Sequence, residues 1–71
     1  MAVVQSLADR TAMAHRHVSN GLSILNRQRE LIKRRRDRNL DVASAEELLT
    51  RFQQTQEIFE RDLARLLREH E

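Results

Sequence analysis

A chain of 71 residues can form one small domain, and so short a chain buries too little surface to stand easily without a metal, a disulfide or a second chain. It has no cysteine, which excludes disulfides and thiolate metal sites. The net charge of +2 hides a split, because residues 1–40 carry nine basic and three acidic side chains and residues 41–71 carry four and eight. Such halves can attract each other, or the basic one can face a polyanion.

The first ten residues lack the basic start and continuous apolar run of a signal peptide. No stretch approaches the roughly 18 apolar residues of a membrane span. The expectation is a cytoplasmic protein. With no proline and a single glycine, the chain has few helix breakers, and helical periodicity dominates it.

The first predicted element is an amphipathic helix from about Gln5 to Asp37. Val4, Leu7, Thr11, Ala14, Val18, Leu22, Leu25 and Ile32 recur at steps of three, four or seven, the period of one helix face. Ser6 followed by Asp9 suits a helix start. Thr11 and Ala14 make the early stripe weak, so residues 1–10 are expected to be loosely held. Gly21 is the soft point, costing about 1 kcal/mol against alanine in a helix, and Asn20-Gly21 is also a turn signal. Either the helix breaks there and the chain is a three-helix bundle, or it continues and Gly21 admits a bulky neighbour. The apolar phase survives across the glycine, which favours continuity.

The one clear interruption is Asp37-Arg38-Asn39-Leu40-Asp41, with the turn at 38–41. Asn39 suits the left-handed position that ends a helix where glycine is missing, and Leu40 can then fold back on the last turn. The second helix, about 42–69, has Asp41 as its expected N-cap, with Ser44 and Glu47 as an alternative capping box. Its stripe is Ala45, Leu48, Leu49, Phe52, Phe59, Leu63, Leu66 and Leu67. Both phenylalanines lie on it and read as core. Closing the hairpin at residues 39–41 sets Ile32 level with Leu48, Gln28 with Phe52, Leu25 with Thr55 and Gly21 with Phe59.

The predicted fold is all-α: one domain over 1–71, an antiparallel two-helix hairpin that dimerises into a four-helix bundle. Val18, Leu22, Leu25, Ile32, Leu48, Phe52, Phe59, Leu63 and Leu66 are the expected core and self-association residues. Ile24, Leu31, Leu49 and Leu67 lie beyond the inward stripe and would be left wet in a lone hairpin.

Gly21, the run Arg27-Gln28-Arg29-Glu30-Leu31-Ile32, then Asp41, Ala45-Glu46, Leu48-Leu49, Phe52 and Thr55-Gln56 carry a resemblance. Over about residues 15 to 63 the chain resembles short helical-hairpin proteins of rhizobia-like bacteria, a group with no assigned function. Those proteins tend to have glycine where this chain has Asn39 and threonine where it has Val42, departures that bear on the turn alone. The resemblance implies a bacterial, cytoplasmic helical hairpin and implies no activity.

The densest chemical feature is Arg27, Arg29, Lys33, Arg34, Arg35, Arg36 and Arg38, a cluster able to neutralise phosphates. The structural reading of the same residues is a paired face, with Glu30 set to meet Arg34, Glu47 to meet Arg51 and Glu57 to meet Arg61 at helical spacing. Glu46 and Glu47 are expected near Lys33 and Arg34 across the hairpin. No aromatic residue accompanies the cluster to stack on bases. His15 and His17, two apart on a helix, point to different sides, and His70 lies near the chain end, so no metal or cofactor is expected. Gln28, Thr55 and Gln56 interrupt the apolar stripes, either as an exposed boundary or as a buried polar layer that fixes register. A two-helix rod has no water-excluding pocket for catalysis. The expected function is that of a small self-associating interaction or structural protein. The alternative is a nucleic-acid-binding regulator using the 27–38 cluster; a membrane-surface role is disfavoured by an apolar face without tryptophan.

Overall fold

The computed structural model describes residues 6–69. They form two antiparallel helices, α1 (Leu7–Asp37) and α2 (Ala43–Glu69), packed along their lengths into a rod 52 Å long. The chain is an all-α helical hairpin. The expectations for Val4, for a helix start at Gln5 and for His70 fall outside the described residues.

Ser6 caps α1 from an extended backbone, and its hydroxyl accepts the Asp9 N–H at 3.0 Å. This satisfies one of the donors that every helix start leaves unpaired, and the Asp9 carboxylate suits the positive helix end. From there α1 runs through Gly21 without a break, as its apolar phase predicts. The three-helix alternative is not what the chain adopts.

The end of α1 is closed by backbone geometry. Asn39 takes the left-handed conformation, φ 58°. The Leu40 N–H reaches back to the Arg35 carbonyl at 2.9 Å and the Asn39 N–H to the Arg36 carbonyl at 3.0 Å, the pair of bonds that defines a Schellman ending. Arg35 then acts twice, since its Nε also donates to the Asp41 carbonyl at 3.0 Å. Asp41 works one residue further out than an N-cap: its Oδ1 accepts the Ala43 N–H at 3.0 Å, while the Val42 carbonyl takes the first helical bond, from Glu46 N–H at 2.8 Å. The residue that polarity singled out is thus used, but as a short Asx turn. Ser44 lies inside α2, and among the described residues its hydroxyl makes no capping bond.

The two helices meet along a seam whose residues alternate at steps of three and four. In α1 the least exposed positions are Leu7, Thr11, Ala14, Val18 and Gly21, then Leu25, Gln28, Ile32 and Arg35. In α2 they are Val42, Ala45, Leu49 and Phe52, then Gln56, Phe59, Leu63 and Leu66, joined only by Asp62 beside the seam. Leu22 and Leu48, expected on the inward stripe, each sit one place off this sequence and are 49% and 42% exposed. They are not part of the hairpin's own core. Gly21 and Leu49 hold the seam positions beside them, so a step of four rather than three from Val18, and of three rather than four from Ala45, misplaces each by one residue.

The level of the two helices also differs from that expected. Gly21 faces Gln56, not Phe59: a Cβ built on Gly21 would collide with the end of the Gln56 side chain. Phe59 instead lays its ring on His17, with centroids 5.0 Å apart and planes 15° from parallel. The offset is one seam step, three residues or about 4.5 Å of helix. Counting apolar residues alone passes over Gln56, the occupant of the slot between Phe52 and Phe59.

The turn generates a test. Asn39→Ala is expected to lower stability by about 1 kcal/mol, because a β-carbon without a side-chain amide pays the full left-handed cost. Asn39→Gly is expected to hold or raise it. Urea unfolding followed by far-UV circular dichroism reads both; equal midpoints for the alanine and glycine variants would refute the conformational argument.

Candidate functional site

At mid-hairpin the seam holds two glutamines rather than apolar side chains. Gln28 Nε2 donates across to the Ala45 carbonyl at 2.9 Å, and Gln56 Nε2 donates back to the Val18 carbonyl at 3.0 Å. Each carbonyl belongs to a helical backbone and has a lone pair to spare. Each lies beside a small residue, Ala45 itself or Gly21, which lets an amide approach the opposite helix. Gln28 and Gln56 are 8% and 4% exposed, so of the two sequence readings the buried polar layer is correct for them. Thr55 departs from it: it is exposed, and its hydroxyl donates to the Arg51 carbonyl of its own helix.

The Gln56 amide is only half satisfied. Its Oε1 is buried without a hydrogen-bond partner, packed where a Gly21 side chain would otherwise stand. A buried carbonyl oxygen of this kind costs stability. Gln56 therefore gives directional fit across the seam while leaving one polar atom unpaired.

The basic cluster does not act as one surface. Arg35 is tied into the turn, and Arg36 forms a 2.7 Å ion pair with Glu46 across the hairpin. That cross-hairpin bridge was expected from Lys33 or Arg34; Arg34 lies on the other flank, and Arg36, in the same groove as Glu46, makes it. Arg27 and Arg34 lie to one side of α1 and Arg38 caps its end, while Arg29 and Lys33 lie to the other side, in the groove that holds Arg36 and Glu46. Among the described residues these five have no ion pair. Of the pairs expected within a helix, Glu47–Arg51 forms at 3.1 Å; among the described residues, Glu30–Arg34 and Glu57–Arg61 do not.

At the open end, Arg10 reaches Glu69 at 3.2 Å. Arg65 bridges Asp62 and Glu69 on α2, and the hydrogen bond and charge of Asp62, followed by Glu69, hold its guanidinium above the usual arginine range. These contacts are exposed, so solvent screens them and they add little to stability. Among the described residues no three His, Asp or Glu side chains converge as a metal site would require. No described helix is long and apolar enough to cross a membrane.

What remains is the distribution of exposed apolar side chains. The residues preceding seam positions make up one flank of the rod and those following them the other. Met13, Ile24, Leu31, Leu48 and Ile58 fall on the first flank, where Ile24 and Leu31 line a groove with Phe52 and Leu31 lines its continuation with Leu48. Among the described residues the second flank has only Leu22 and Leu67. The sequence singled out Ile24 and Leu31 as surplus to the stripe; it passed over Ile58, 63% exposed, which stands beside Phe59 on the flank. No protein-family model matches the chain, and neither a curated protein nor a solved structure does.

The half-satisfied amide makes two substitutions move stability in opposite directions. Gln56→Leu is expected to raise it by about 1 kcal/mol, since the Val18 carbonyl keeps its helical donor and an unpaired oxygen leaves the seam. Gly21→Leu is expected to lower it by about 1–3 kcal/mol through overpacking, despite better helix propensity. Thermal melts of both variants decide this, and a raised melting temperature for Gly21→Leu would place that residue in solvent.

Proposed function

We propose that the chain is a small self-associating helical interaction protein whose hairpins pair into a four-helix bundle. The observation that carries this is an imbalance of burial. The described residues bury only Ala14, Leu25, Ile32 and Leu66 as apolar core, while eight large apolar side chains are at least 36% exposed. At roughly 25 cal/mol per Å² of apolar surface, a second layer of helices stabilises such a chain more than any change within it.

The pattern supports the same reading. Alternating steps of three and four are the spacing of coiled-coil seams. Apolar residues at a further position beside the seam (Ile24, Leu31 and Leu48) are what bundle helices have and simple two-stranded coils lack. Gln28 and Gln56 then fix register, the best-attested use of polar groups at such positions. A bacterial cytoplasmic setting, implied by the resemblance to hairpin proteins of rhizobia-like bacteria, belongs to this proposal.

Light scattering at micromolar concentration is expected to give twice the monomer mass, with a melting temperature that falls on dilution because assembly is linked to folding. A monomer melting at a concentration-independent temperature overturns the proposal. Binding to duplex DNA that persists near ~150 mM salt, where exposed charges are screened within about 8 Å, and vanishes in Arg27→Glu/Arg34→Glu, which leaves the turn and the Glu46 ion pair intact, would favour the arginine cluster instead.

A further inference from the structure

We infer that a second copy of the chain packs on the first flank, over the groove of Ile24, Leu31, Leu48 and Phe52, with the two turns side by side. The inference rests on the self-association proposed above and adds the face and the direction.

The face follows from the unlike flanks. Ile24, Leu31 and Leu48 stand immediately beside the seam, so the groove they line with Phe52 is continuous with the hairpin's core. Arg27 and Arg34 edge this groove too, but the second flank holds Arg29, Lys33, Arg36 and Glu46 with no exposed large apolar side chain between them, and the Arg36–Glu46 ion pair spans its groove. Covering it would desolvate a bridge that water now solvates on both sides, which is costly. A face 52 Å long and two helices wide, about 20 Å, offers on the order of 1,000 Å², and a stable interface takes about 800 Å² from each partner. One flank is therefore sufficient for a dimer.

The direction follows from symmetry and charge. Stacking two hairpins on the same face leaves two two-fold arrangements. With the axis along the rod, α1 of one copy lies over α2 of the other, turn beside turn. Residues that already share a level within one hairpin then meet between copies: Ile24 with Phe52, Leu31 with Leu48. Arg38 comes beside Asp41 at the turns, and Arg10 beside Glu69 at the open ends. With the axis across the rod, each helix lies over its own copy reversed, so Arg34 comes over Arg10 and Asp41 over Glu69. Like charges at both ends disfavour that arrangement, whereas turn beside turn brings its like charges together mid-rod, where Arg27 nears Arg51. The chosen dimer leaves Arg29 and Lys33 on its outer surface.

The test uses the full chain. Wild type is expected to sediment as a dimer at tens of micromolar. Ile24→Asp/Leu48→Asp is expected to sediment as a helical monomer and Leu22→Asp/Leu67→Asp as a dimer. Nitroxides at Asn20→Cys on the first flank and Asn26→Cys on the second repeat the test without touching an apolar residue, with immobilisation on concentrating expected at Asn20 alone. The chain has no cysteine of its own, so each label is unique. A label at Asp37→Cys is expected to give a pair distance below about 30 Å for turns side by side, against roughly the rod length of 52 Å for the reversed arrangement. A wild-type monomer would sink self-association itself. A dimer broken by the Leu22/Leu67 pair, or immobilised at Asn26, overturns the face while leaving self-association standing. An intact dimer with the long Asp37 distance overturns the direction.

Discussion

Two helices have only one line of contact between them, and everything else in this protein depends on what fills that line. Apolar bulk is scarce there: Gly21 and Ala45 are small, and Gln28 and Gln56 are polar. Small residues draw the backbones close, and the close approach brings a carbonyl of each helix within reach of an amide from the other. The resulting bonds are directional, so sliding one helix along the other by a seam step would break both. The hairpin gives up apolar burial along its own seam and gains a defined register.

The turn applies the same economy to charge. Arg35 binds the loop through its backbone carbonyl and its guanidinium together, so the end of α1 and the approach to α2 are positioned by one residue. Arg36 then crosses to Glu46 on the first turn of α2. A run of basic residues that looks in sequence like a polyanion site is thus divided between a loop fastener, an ion-pair partner and two separated sets on opposite flanks. Helical geometry causes the division, because four consecutive residues span more than a full turn and cannot face one way.

Much of this was legible in the sequence, and the misses share a cause. The continuous helix through Gly21 follows from the apolar phase kept across it, and the Ser6 cap and the left-handed Asn39 follow from backbone chemistry that acts within a few residues. Asp41 was legible as a helix-start residue but not as one displaced to Ala43, since the carbonyl of Val42 takes the capping place. The placement of Leu22, Leu48 and Phe59 was not legible by hydrophobicity. That criterion ranks leucine above glycine and glutamine, so it assigns the seam to Leu22 over Gly21 and steps over Gln56. The strict alternation of three and four would have recovered all of them, had the polar residues been counted as seam occupants.

Asn20-Gly21 has a chemical consequence beyond packing. In a flexible chain this dipeptide is the one most prone to deamidation, because the unhindered amide nitrogen of glycine can attack the asparagine side-chain carbonyl, expel ammonia and close a five-membered imide. Within α1 that nitrogen lies in an uninterrupted helical ladder, and the backbone angles of a helix hold it out of line for the attack. The bond is protected for as long as the helix stays wound around it. Conversion of Asn20 to aspartate or isoaspartate during storage would therefore act as a clock, recording the cumulative time the middle of the hairpin has spent open.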